Sequence, residues 1–151
     1  MEQVTIQQLA KWFLNKESMT HKKLQKTCYY AVAWGWALMN KSLITNDRFE
    51  AWVHGPVAPK LYNDYKSHDW NNIPAVADRD VPAVSDAVLD VLESVWLTYG
   101  DSSGNELEAL SHSEKPWIEA RGGIPSDQRS SAPIKPAVMR EFYNSIKSTD
   151  F

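Results

Sequence analysis

The 151-residue sequence contains a single cysteine, Cys28, so no internal disulfide can form and no thiolate zinc site can be assembled. It has no excess of positive charge. The formal net charge is −3, which withholds the basic stripe by which proteins grip a phosphate backbone, and direct nucleic-acid binding is not expected. No apolar run approaches the ~20 residues that span a bilayer. The opening Met1-Glu2-Gln3-Val4-Thr5 carries neither the basic start nor the apolar stretch of a signal peptide. A lone cysteine in apolar surroundings suits a reducing compartment, so a cytoplasmic protein without membrane contact is predicted. Walker, G-x-G-x-x-G and G-x-S-x-G patterns are missing, as are repeats and low-complexity tracts. The four histidines, His21, His54, His68 and His112, form no helix-spaced ligand pair. No metal, no cofactor and no reaction can be assembled from these residues, and an enzyme is not expected.

What is present is a single domain's worth of chain, residues 1–151, with 43% hydrophobic residues and an unusual seven tryptophans. Helical spacing dominates. Thr5 and Gln8 make a capping box ahead of Ile6, Leu9, Ala10 and Phe13. From Thr20, a second helix carries Leu24, Cys28, Ala31, Val32, Gly35 and Leu38, and Tyr29, Tyr30, Trp34 and Trp36 widen the stripe until the helix is apolar nearly all round. Such a helix is central, and Gly35 within it predicts close approach of another element. Residues 43–53 alternate like a short strand and run into His54-Gly55-Pro56-Val57-Ala58-Pro59, which can continue neither a helix nor a central strand. Pro59 suits the first position of a helix carrying Leu61, Tyr62 and Tyr65 inward. After a surface loop over 67–83, Ser85 caps a helix ending at Gly100, and Ser103 with Glu106 caps a short one with Leu107 and Leu110 inside. Pro116-Trp117 lies in a turn stopped by Gly122-Gly123. A last helix from Pro136 is expected to bury Val138, Met139, Phe142 and Ile146. The predicted fold is mainly α: an irregular helical bundle with at most one small β-element.

The chemistry-bearing residues have mostly structural readings. Cys28 lacks any signature of activation and reads as a small buried hydrophobe. Lys22, Lys23 and Lys26 read as a solvated helix face. Glu106 and Glu108 sit near a helix start, where capping and the dipole attract acid. His112 reads as a hydrogen-bonding pin for the Pro116-Trp117 turn, and His54 as orienting its loop.

Three segments carry something more specific. Met19-Thr20-His21-Lys22-Lys23-Leu24-Gln25-Lys26-Thr27-Cys28-Tyr29-Tyr30 resembles the "KLQKLLYY" helix of the Panacea domain, the SocA-like antitoxin family. Glu50-Ala51-Trp52-Val53-His54-Gly55-Pro56-Val57-Ala58-Pro59-Lys60-Leu61-Tyr62 resembles its "EAW-x-x-GPV-x-P-x-x-Y" segment. Ser111-His112-Ser113-Glu114-Lys115-Pro116-Trp117-Ile118-Glu119-Ala120 is similar to its "TH-x-x-x-PW-x-x-A" segment. The three occur in the family's order over most of the chain. Thr27-Cys28 stands where the pattern has two leucines, a change that repacks the core, and Ser111 replaces Thr while keeping the hydroxyl.

The resemblance implies a helical domain that neutralises a cognate toxin by direct contact, as in type II toxin–antitoxin systems, which often lie on prophages. It also implies an alternative, an adaptor or phage regulatory protein that hands its bound partner to a protease. No separate DNA-binding domain is expected beside it. Homo-oligomerisation stays open, as do the toxin's identity and the choice between occlusion and degradation. The contact surface is a physical expectation, because loops on a rigid scaffold carry function and Trp, Tyr and Arg dominate hot spots. It comprises Trp52, His54, Pro56 and Pro59 in the loop 52–59, with His112, Trp117 and Arg121 in the turn 112–121. Tyr30 and Trp34 are expected beneath them.

Overall fold

The computed structural model describes residues 2–147. Thr5 opens α1, Ile6–Lys16, through the expected capping box with Gln8, and Ile6, Leu9, Ala10, Phe13 and Leu14 are buried along it. Met19–Thr20 is a two-residue strand, β1. Thr20 then caps α2, His21–Met39, by accepting from the Lys23 amide. This 19-residue helix is the centre of the molecule: α1, α3, α4, α5 and α7 all pack on it, which is why it is buried on several faces.

Gly35 makes the close approach inferred from the sequence. An added Cβ there would lie 2.7 Å from Cγ of Leu43, which is fully buried in the segment that follows the helix. Gly35→Ala is therefore expected to destabilise by about 1–3 kcal/mol, the usual cost of overpacking, despite alanine's better helix propensity. Urea titration checks this, and a stabilised variant would show that Leu43 repacks freely.

The strand character near residue 50 resolves into a hairpin, β2 (Glu50–Trp52) antiparallel to β3 (Gly55–Val57). The outer edge of β2 is covered by the chain at 132–134, through Ala51 N–H to Ala132 O at 2.9 Å and Ile134 N–H to Phe49 O at 2.9 Å. Pro59 occupies the first turn of α3, Pro59–Tyr65, as its fixed φ suggests. The loop that follows contains two 3₁₀ turns and a strand, β4 (Asn72–Ile73), paired antiparallel with β1. Among the described residues, two small β-ladders thus accompany the mainly helical architecture. The second was invisible in sequence because its strands are two residues long.

Ser85 caps α4, Asp86–Tyr99, and the Ser103–Glu106 box opens α5, Gly104–His112. Next come α6, Lys115–Arg121, with Gly122 left-handed at its end, and α7, Pro136–Ile146. Some inward assignments need correction. Tyr62, Leu110 and Ile146 are exposed, whereas Tyr143 on α7 is fully buried. Tyr143 belongs inside because its hydroxyl has partners there: it donates to Glu114 Oε1 at 2.9 Å and lies 3.0 Å from the Tyr29 hydroxyl. Among the described residues, no helix is long and apolar enough to cross a membrane.

Candidate functional site

The three motif segments converge on one object, the β2–β3 hairpin. From α2, the Gln25 side chain accepts from the Ala58 amide at 2.9 Å, and Lys26 Nζ donates to the Pro56 carbonyl at 3.1 Å. From α6, Trp117 Nε1 donates to the Trp52 carbonyl at 2.8 Å, and Arg121 donates to the Ala51 carbonyl at 2.9 Å. Arg121 also holds the following loop, donating to the carbonyls of Pro125, at 2.8 Å, and Gln128, while its guanidinium lies 4.7 Å from the Trp117 ring. At the hairpin turn Gly55 has φ +103, and an added Cβ would lie 2.8 Å from Lys26 Cε and 2.9 Å from Ser111 Oγ. The motifs are therefore a clasp. Their polar groups satisfy hairpin backbone that would otherwise be buried without partners, and tie the exposed loop that follows α6 to it.

Beside the clasped hairpin lies an open groove of about 990 Å³. Its walls come from the first turns of α2, the hairpin, α3, the turn at 66–70 and the loop at 127–131. An aromatic series runs along it. Trp52 meets Tyr62 edge-on with centroids 4.9 Å apart, and Tyr62 stacks on His21 at 5.4 Å. Trp70, 78% exposed, stands at the rim with Lys22 Nζ 5.7 Å from its ring. Four cationic side chains line the groove, Lys22, Lys26, Lys66 and Arg129, against two carboxylates, Asp69 and Asp127.

The cations differ in kind. Lys22 is committed to Glu108 Oε1 at 2.8 Å, and His54 Nδ1 lies 3.2 Å from the same oxygen. Burial pushes the Glu108 carboxyl up, but Lys22 and His54 outweigh it and hold it below its ordinary value. Lys23, outside the groove, pairs with Glu17 at 2.7 Å and donates to the Gly100 carbonyl. Lys26 corrects the expectation of a solvated lysine face. It is 2% exposed, and its hydrogen-bond acceptor among the described residues is the Pro56 carbonyl. Burial drives its amine down to about 7, with Glu108 pulling upward and Lys22 adding to the depression. Nearby His21 is pushed down to about 4 by burial, then by Lys26 and His68.

The buried amine makes stability pH-dependent. An unfolded lysine stays protonated to near its ordinary value of 10.5, whereas folded Lys26 releases its proton around 7. Between pH 7 and 9 the unfolded state binds more protons at this residue, so stability rises with pH. Below pH 7 both states are charged, and the full cost of a buried ammonium remains. His21 makes most of its own contribution between about 4 and its ordinary 6.5 and levels off early in that window. The unfolding free energy is therefore expected to climb from pH 7 to 9, and Lys26→Met should flatten the climb. A level profile in the unsubstituted protein would mean that the amine keeps its water.

The expected contact residues separate into three groups. Trp52 and His54 line the groove, and Pro59 is half-buried at the start of α3. Pro56, Trp117 and Arg121 are buried parts of the clasp, so they shape the surface without forming it. His112 joins this second group, stacked on Trp117 with centroids 4.0 Å apart, and burial depresses its pKa although Glu108 and the Val53 backbone oppose the shift. Tyr30 and Trp34 lie elsewhere. Tyr30 is fully buried, stacked on Tyr99 at 4.0 Å and donating to Glu114 at 2.7 Å, while Trp34 Nε1 donates to the Tyr99 hydroxyl at 2.9 Å. The eight residues from Lys26 to Trp34 carry the latter ~12 Å along α2, away from the groove.

Sequence reasoning missed Lys66, Trp70, Asp127 and Arg129, whose loops carried no motif. Lys26 had a signal: it heads the stripe 26–30–33, all of it buried. Cys28 is buried, and burial raises its thiol far above the ordinary value. Among the described residues, no three His, Cys, Asp or Glu side chains gather as metal ligands.

Fold and site together define a mainly helical domain that presents an open charged groove over a hairpin clasped by its own motif residues. The SocA-like antitoxin family model, Panacea domain, matches residues 24–118, and the chain belongs to this family. No curated protein and no solved structure matches it.

Proposed function

We propose that this protein is the antitoxin of a type II toxin–antitoxin pair and neutralises its toxin by direct binding at the groove beside the β2–β3 hairpin. Membership of the antitoxin family carries the reading, and the groove gives it a place. Its aromatic walls and mixed charge have the composition of binding hot spots ringed by polar groups. Trp52, His54, Tyr62 and Trp70 are the contact residues in this reading, and Pro59 borders them. Binding rather than catalysis is supported by the character of the candidate nucleophile. The Cys28 thiol is inert by burial, and α2 sets it apart from the groove residues.

Co-expression with the adjacent gene tests the proposal. The neighbour alone should arrest growth, and this chain should restore it as a co-purifying complex. Restored growth with loss of the neighbour protein would instead favour the adaptor reading, delivery to a protease. A harmless neighbour would remove the antitoxin assignment.

A further inference from the structure

We propose that the groove receives an acidic segment of the partner, with a carboxylate side chain directed to Lys26 and flanked by Lys66 and Arg129. This deepens the antitoxin reading and rests on it for the partner being a protein. The argument begins with an imbalance: the chain as a whole carries −3, yet with Lys22 set against Glu108 the groove lining still keeps three cations against two carboxylates. Electrostatic complementarity therefore selects an occupant of charge opposite to the groove rather than to the chain.

The disposition of the cations narrows the choice. Lys22 is already neutralised by Glu108, which leaves Lys66 and Arg129 exposed at the rim and Lys26 at the floor. Lys26 has three N–H donors when protonated but, among the described residues, only the Pro56 carbonyl as acceptor. A carboxylate arriving from the groove would supply the missing acceptor and favour the protonated amine that burial otherwise disfavours. Three separated cations suit isolated carboxylates. They do not form the continuous track that a phosphodiester backbone needs, and Asp69 and Asp127 interrupt the rim with repulsion. The exposed face of Trp70 and the Trp52–Tyr62 pair offer apolar surface for residues between the acids.

The test uses the full chain and three fluorescein-labelled probes in anisotropy titrations: an octapeptide Ser-Glu-Phe-Glu-Glu-Phe-Glu-Ser, its counterpart with Lys for every Glu, and an octamer of uridine. The acidic peptide should bind, more weakly as salt is raised, and the double variant Lys66→Glu/Arg129→Glu should weaken it by about tenfold or more. Both substitutions are at exposed positions, so circular dichroism should show an unchanged fold. Lys26→Met should weaken the same probe without altering the salt dependence contributed by the rim. The proposal is overturned if the acidic peptide does not bind, if the charge-reversed variant binds it equally well, or if the uridine octamer or the basic peptide binds instead. Co-expression separates the two readings. Neutralisation that survives charge reversal sinks the acidic-segment proposal and leaves the antitoxin assignment standing. Charge-dependent peptide binding beside a harmless neighbouring gene does the reverse.

Discussion

Arg121→Ala is expected to destabilise the fold by ~3 kcal/mol, the scale for removing a buried charged hydrogen-bonding hub. The guanidinium is 3% exposed and serves three carbonyls, those of Ala51, Pro125 and Gln128, with no carboxylate among them. Removing it leaves the Ala51 carbonyl in the interior without its donor, since the facing residue of the hairpin, Pro56, has no N–H to offer. It also frees the carbonyls of Pro125 and Gln128, which lie in an exposed loop and can turn to water, so the loop loses its tether to α6. At about 2–4 °C per kcal/mol for a chain of this size, the melting temperature should fall by roughly 9 °C. Arg121→Lys should recover less than half of the loss, because a point ammonium cannot reproduce a planar fork that reaches three carbonyls. Hydrogen exchange gives the specific signature, faster exchange over 124–131 before the rest of the protein opens. A uniform loss of protection would mean that the residue acts through packing alone.

Gly55→Ala should be comparably damaging, at ~3 kcal/mol, for a different reason. A backbone at φ +103 is open to glycine and strained for any L side chain, at a cost of order 1–3 kcal/mol. The new methyl must also displace Lys26 Cε and Ser111 Oγ, both within 3 Å of its position and both buried in the clasp. Of these, Lys26 is the more able to move, and its movement would withdraw the donor from Pro56 O. The double variant Gly55→Ala/Lys26→Ala should therefore lose less than the sum of the single variants, which a double-mutant cycle in urea measures. Strict additivity would assign the effect of Gly55→Ala to backbone strain and the Ser111 contact, with no share for Lys26.

The helices were legible in the sequence because their signals are local. Capping boxes at Thr5 and Ser103, caps at Thr20 and Ser85, and Pro59 at a first turn all act within four residues, and each stands where its chemistry places it. The groove was not legible, since it is made by residues brought together from five places in the chain. Trp52 and His54 were found because they belong to a recognisable loop. Arg129 and Trp70 sit in loops with no periodicity, and only tertiary structure shows that they face the same space. Lys26 was misread for a subtler reason. A basic triplet on a helix is ordinarily solvated, but α2 is buried on several sides and has no free face for all three lysines. The aromatic residues Tyr30, Trp117 and Tyr143 illustrate the converse: residue types common at interfaces are here consumed by internal hydrogen bonds.

Arg121 grips the 124–131 loop entirely by its main chain, and main-chain carbonyls are the same whatever side chains flank them. Side-chain identity at Asp127 and Arg129 is thus uncoupled from the bond that sets the loop's path. The same holds for Lys66 and Trp70, which lie outside the hairpin clasp. The molecule separates a fixed grammar, the main-chain clasp, from a rewritable vocabulary at the rim. A library randomised at Lys66, Trp70, Asp127 and Arg129, with Asp69 kept for its backbone at φ +52, should fold throughout, and selection from it could retarget the scaffold to a partner it does not now bind.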